Sequence, residues 1–252
     1  MRYRKLLKCV FITLIVCIMS GCISSNGSKS ELSDEQQAQL YLKMGARYLE
    51  MGMLKTAKEN LEKAEAIDSN NASIQNSLGA LYEQMKMFSD AKKHYQNAVE
   101  LDKESYSAKN NYGRFLCERG DYEAGMQLLK DALLVPLNNR KWFAYTNIGR
   151  CELRKGKTKE AENNLRHALQ LNKHYAPALF EMQKISYHSE KYMSARAFLQ
   201  RYLAVDEHSA ETLWYAVQTE RLLGNMKAAE DYKDKLFSLF PLSKQARQLK
   251  IK

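Results

Sequence analysis

Proline is scarce in this chain, at 3 of 252 residues, and glycine is modest at 11. A β-rich fold with many tight turns needs more of both, so the composition argues against one. A bilayer-spanning stretch is missing too. The apolar run CVFITLIVCIM, residues 9–19, is eleven residues long. A spanning helix needs ~20. Cysteine numbers only 5: Cys9 and Cys17 lie in that run, Cys22 follows it, and Cys117 and Cys151 stand alone far downstream. That spacing gives no disulfide framework and no metal-ligand set. Cys117 and Cys151 read as small buried thiols, with a disulfide in an oxidising periplasm as the alternative.

Catalytic signatures are absent as well. The 5 histidines, His94, His167, His174, His188 and His208, show no metal or triad spacing, and HExxH does not occur. There is no P-loop, no G-x-G-x-x-G and no G-x-S-x-G. The expectation is a protein that is not an enzyme, with no metal, no cofactor and no small-molecule substrate.

What is present begins with charge. The formal net charge is +10, and Arg2, Arg4, Lys5 and Lys8 supply four of these charges ahead of the apolar run, leaving +6 for the rest. Lys and Arg are interleaved with Glu and form no basic block. This reads as a solvated helical surface, not a nucleic-acid face.

MRYRKLLK is a positive n-region, and eleven apolar residues fit the ~7–15 of a signal-peptide core. Ser20 and Gly21 are small, as a cleavage site needs, and Cys22 follows directly. Met19-Ser20-Gly21-Cys22 resembles the bacterial lipobox, with Met where Leu is usual. The resemblance implies removal of residues 1–21, a diacylglycerol on the Cys22 thiol and an acyl chain on its new amino group. This covalent lipid is the only non-protein group expected. Ile23 rather than Asp after Cys22 implies the outer membrane, on its periplasmic face. Two or three acyl chains at ~0.8 kcal/mol per buried CH₂ hold firmly, where a single chain binds only marginally. Residues 22–37 read as the lipidated Cys and a polar tether. Ser33 and Gln36 have capping-box spacing and predict the start of the first helix.

Behind the tether the chain repeats itself. Gly45, Gly79, Gly113 and Gly149 are spaced 34, 34 and 36. Gly52, Gly120, Gly156 and Gly224 follow the same series once Lys86 and Glu190 fill two places. Ala57, Ala91, Gly125, Ala161, Ala195 and Ala229 follow it again. Small residues recur where helices must approach closely, and large apolar residues such as Tyr41, Met44 and Tyr48 recur at helical steps. This pattern resembles the tetratricopeptide repeat. It implies an all-α superhelix of six helix–turn–helix units over 38–241, starting near 38, 72, 106, 142, 176 and 210. A two-residue insertion falls in LLVPLNNRKW. Cys117 and Cys151 fall on the first helices of adjacent units. The tail, 242–252, reads as polar, basic and solvated.

The same resemblance implies a partner groove lined by the first helix of each unit. The residues it selects are Gln39, Leu42, Ala46 and Leu49 in the first unit and Asn76 in the second. Asn110 and Arg114 follow in the third, Phe143, Arg150 and Leu153 in the fourth, and Phe180 and Tyr187 in the fifth. Asn can bond an extended peptide backbone and Arg a carboxylate.

Three runs narrow the resemblance. NNYGRFLCERGDYEAGMQLLKDAL (Asn110 to Leu133), NIGRCELRKGKTKEAE (Asn147 to Glu162), and ALFEM at Ala178 with LFP at Leu239 are similar to the type IV pilus biogenesis lipoproteins called PilF or PilW. That family implies a pilotin, a lipoprotein that helps the pilus secretin reach the outer membrane and form its multimeric ring. The alternative is a lipid-anchored periplasmic scaffold or adaptor for cell-envelope enzymes. Both predict binding to protein and anchoring to membrane, and neither predicts binding to nucleic acid.

Overall fold

The computed structural model describes residues 32–250. Signal peptide, lipobox and Cys22 lie outside the described residues, as does the tether up to residue 31. Every element among the described residues is a helix. Six antiparallel pairs run in order: α1 (Asp34–Glu50) with α2 (Leu54–Ile67), α3 (Ala72–Gln84) with α4 (Phe88–Leu101), and α5 (Tyr106–Glu118) with α6 (Tyr122–Leu134). Then come α7 (Lys141–Arg154) with α8 (Thr158–Leu171), α9 (Ala176–His188) with α10 (Tyr192–Leu203), and α11 (Ala210–Leu222) with α12 (Met226–Leu239). A thirteenth helix, α13 (Lys244–Lys250), closes the series.

The small-residue columns explain why the pairs form. A Cβ built on Gly45 would stand 2.6 Å from Leu61 Cγ, and one on Gly79 would stand 2.6 Å from the Tyr95 ring. Only glycine lets the first helix of each of these units lie that close to the second. Facing them, Ala57, Ala91, Ala161 and Ala195 are fully buried. The turn inside each pair has one geometry. Gly52, Gly120, Gly156 and Gly224 have positive φ, and so do Lys86 (61°) and Glu190 (60°) at the equivalent places. The following N–H reaches back five residues, as in Met53 N to Tyr48 O (2.9 Å) and Met87 N to Tyr82 O (2.8 Å). This bond satisfies a carbonyl that the helix end would leave unpaired.

Side chains start several first helices. Asn71 accepts from the N–H groups of Ser73 and Ile74, Ser105 from Ala108, and Ser209 forms a full capping box with Thr212. The chain is helical from Asp34, inside the stretch assigned to the tether. Asp34 and Glu35 favour the positive end of the helix dipole there.

The C-terminal expectation is corrected. Residues 244–250 are not a solvated tail. Ser243 Oγ caps α13, and Ala246 (0% exposed) and Leu249 (5%) pack with Leu213, Val217 and Leu236. Three-residue spacing puts these two apolar residues on one face, so α13 covers the open end of the last unit.

First helices of neighbouring units touch one another (α1 with α3, α3 with α5, α5 with α7, α7 with α9, α9 with α11), and second helices do not. The first helices therefore form the inner layer, and any partner groove is theirs.

Candidate peptide-binding cleft

A cleft of ≈ 570 Å³ opens across the inner layer of the third, fourth and fifth units. Helix α5 contributes Arg114, Cys117 and Glu118, and α7 contributes Asn147, Arg150, Cys151, Leu153 and Arg154. Glu181, Lys184, Ile185 and His188 come from α9, and Thr158 from the start of α8.

Two residues in it are a disulfide. Cys117 and Cys151 are bonded, with Cα atoms 5.5 Å apart. Of the two alternatives the sequence leaves, separate thiols or a bridge, the structure has the bridge. The reason lies in the packing: α5 and α7 are parallel neighbours, and both cysteines are buried at their contact, at 3% and 0% exposure. Gly125 belongs to the same arrangement. A Cβ there would lie 2.7 Å from Cys117 Sγ and 2.6 Å from the Gly113 carbonyl. The alanine of the other units would not fit.

The charged walls are largely paired internally. Arg114 donates to both oxygens of Glu83, at 2.8 and 2.6 Å, and also meets Glu118 at 3.0 Å. Tyr95 Oη donates to the same Glu83 carboxylate at 2.8 Å. Burial pushes the Glu83 carboxyl up, but the bonds from Arg114 and Tyr95 outweigh it and hold it below the ordinary carboxylate value. Burial and the neighbouring Glu83 charge push the Tyr95 phenol well above its usual range. Arg150 Nε donates to Glu181 at 3.0 Å, and Lys184 bridges Glu181 (3.2 Å) and Glu211 (3.7 Å). Arg114 and Arg150 are thus engaged by carboxylates of their own chain, not left open for a ligand's. Among the described residues the guanidinium of Arg154 has no such partner, and it is exposed. His188 Nε2 lies 2.9 Å from Tyr215 Oη, whose phenol is pushed up to about 12 by burial and by Glu211. Leu153 and Ile185 add apolar surface between the charges.

The other candidates fall elsewhere. Asn110 and Phe143 line a separate cleft of ≈ 110 Å³ beside the insertion. Two asparagine bonds cross between units: Asn111 Nδ2 to Asn76 Oδ1 and Asn147 Nδ2 to Asn110 Oδ1, both 3.1 Å. Asn76 and Asn110 therefore spend their amide oxygens on the neighbouring unit. Gln39, Leu42 and Ala46 are half-buried on α1 and line neither cleft. Leu49 is only 8% exposed and packs with Leu61 and Leu81 in the core, so it offers no groove surface. Phe180 and Tyr187 belong to an aromatic group with Tyr215 at ring distances of 6.4 and 5.2 Å.

Glu118, Asn147, Thr158, Glu181, Lys184, Ile185 and His188 were not selected from the sequence. One signal was available for a carboxylate: Glu83–Arg114 and Arg150–Glu181 are each separated by 31 positions. That is one repeat less about one helical turn.

A tetratricopeptide-repeat family model matches residues 38–71, 72–105 and 144–175. The type IV pilus assembly protein PilF of Pseudomonas aeruginosa is 24% identical over 237 residues, covering 93% of this chain and 94% of the relative. The chain carries tetratricopeptide repeats and is similar to PilF and PilW. The solved structure of Pseudomonas aeruginosa PilF superposes with a TM-score of 0.72 over 87% of this chain and 99% of that one. The solved structure of PilW, a type IV pilus biogenesis factor, gives 0.72 over 85% and 98%, also at 24% identity. Tetratricopeptide units that the family model does not match, the third among them, have the same paired helices here. Among the described residues no group of His, Cys, Asp or Glu could hold a metal ion, and no helix is long and apolar enough to cross a membrane.

Proposed function

We propose that this protein acts in type IV pilus biogenesis as a lipid-anchored pilotin. In this reading Cys22 carries the lipid and holds the chain at the periplasmic face of the outer membrane. The cleft of units three to five holds a segment of the pilus secretin. Holding secretin subunits at one membrane raises their effective concentration and so promotes the multimeric ring. The observation that carries the reading is the similarity to a type IV pilus assembly protein from end to end, over 93% of this chain. Supporting it, a cleft of ≈ 570 Å³ lies on the inner layer and combines apolar Leu153 and Ile185 with an exposed, unpaired Arg154.

A deletion strain tests the reading. Heat-resistant secretin multimers should fall and the remaining secretin should leave the outer-membrane fraction. Normal multimers in the outer membrane would sink the pilotin assignment and leave the scaffold for envelope enzymes. Arg154→Glu should weaken secretin co-purification about tenfold without loss of helical signal, as expected for one charge-assisted contact reversed. Cys22→Ser should abolish labelling by a fatty-acid probe.

A further inference from the structure

The insertion between the third and fourth units breaks the 34-residue period, and the structure makes it a braced turn. Val135 is buried at 4% exposure and Asn138 at 6%. Asn138 Nδ2 donates to the Ala132 carbonyl at 2.7 Å, its Oδ1 accepts from Arg140 N at 2.9 Å, and its own N–H reaches the Val135 carbonyl at 3.1 Å. Beside this firmly held turn two leucines face solvent, Leu134 at the end of α6 at 77% exposure and Leu137 within the turn at 86%. Single exposed leucines are ordinary, but a pair on a buried clamp calls for a partner.

Cations follow the pair in the chain. Arg140 is exposed and Lys141 half-buried. The Phe143 and Tyr175 rings, 5.0 Å apart, join this turn to the next inter-unit loop, which carries exposed Lys173. Leu171, just before that loop, is 53% exposed. Asp131, the acid nearest in sequence, accepts from Gln127 Nε2 at 2.9 Å.

We propose that this edge is a contact surface for an anionic lipid bilayer. Leu134 and Leu137 enter the acyl region, while Arg140, Lys141 and Lys173 meet headgroup phosphates. A protein partner fits less well: two exposed leucines, one ending α6 and one in the turn after it, fall far short of the ~800 Å² per side of a stable interface. A bilayer accepts a small apolar tip without shape complementarity. The inference stands whether or not the protein binds a secretin.

The test uses the full chain on vesicles of phosphatidylethanolamine and phosphatidylglycerol, with Leu137 replaced by the photo-crosslinking residue p-benzoylphenylalanine. Met226, 64% exposed at the start of α12, is replaced in a control chain. Illumination should add phospholipid mass at position 137 and not at 226. Arg140→Glu and Lys173→Glu should each lower the adduct yield about fivefold, the worth of one cation at an anionic surface. Three results overturn the inference: no lipid adduct at 137, equal adducts at 137 and 226, or a crosslink from 137 to a second chain in place of lipid.

Discussion

Arg114→Met tests the charge network beside the cleft. The substitution keeps most of the apolar stem and removes the guanidinium, leaving Glu83 with Tyr95 as its one remaining close donor. The Glu83 side chain is 14% exposed and Arg114 26%. Breaking a fully buried pair costs about 3–5 kcal/mol. Residual solvent at both groups lowers the expectation to about 2–3 kcal/mol, because water can stabilise the abandoned carboxylate in part. The half-buried Arg114–Glu118 contact, an i,i+4 pair, adds about 0.5 kcal/mol at most.

The pH dependence identifies the cause. In the wild type the folded Glu83 carboxyl lies below its ordinary 4.5. Its stabilisation is therefore present above about 4.5 and is lost as pH falls through the lower folded value. In Arg114→Met burial dominates and the folded value rises above 4.5. The carboxylate then destabilises the variant at neutral pH, and protonation relieves this on acidification. The gap between the two proteins should be largest at neutral pH and shrink steadily into acid. Urea unfolding followed by circular dichroism, with linear extrapolation at a series of pH values, measures it. A gap that stays constant from neutral to acid pH would refute the charge argument and leave only lost packing. Glu83→Gln in the Arg114→Met background should recover most of the loss, since a neutral amide costs less to bury than an unpaired carboxylate.

Reducing the Cys117–Cys151 bridge frees a span of 34 residues. Loop-closure entropy makes that worth about 4 kcal/mol, and coincident unfolding curves with and without reductant would refute it. Lys86→Gly and Glu190→Gly should each stabilise by about 0.5–1 kcal/mol, because both residues occupy a left-handed conformation that costs L side chains energy; unchanged or lowered midpoints would count against this. Gly125→Ala should destabilise by about 1–2 kcal/mol despite the better helix propensity of alanine. Its Cβ would meet backbone at 2.6 Å, and a gain in stability would show that the two helices can part.

The fold was legible because its rules are steric and recur. Gly45, Gly79 and Gly149 mark a close helix approach, and Gly52, Gly120, Gly156 and Gly224 a left-handed turn; each requirement leaves a residue type at a fixed period. The interior of the candidate site was less legible because it depends on pairs across units. Arg114 reads as a ligand-binding arginine until Glu83 is seen beside it, and Leu49 reads as a groove residue until its rotation on α1 is known. Helix α13 was missed because two buried apolar residues are too few to mark a period.

The disulfide had a different obstacle. Its cysteines are 34 residues apart, while the glycine columns of the same two units are 36 apart. The cysteines therefore sit at different repeat positions, and column alignment does not pair them. Position 125 carried the trace. An alanine column that turns to glycine in one unit signals that something occupies the space of a methyl group. Here that something is Cys117 Sγ together with the Gly113 carbonyl. A bridge between α5 and α7 and a missing methyl on α6 are one packing solution. It follows that the glycine and the two cysteines are energetically coupled: Cys117→Ala should make Gly125→Ala less costly than it is in the bridged protein. Equal costs in the two backgrounds would mean that the Gly113 carbonyl alone excludes the methyl group.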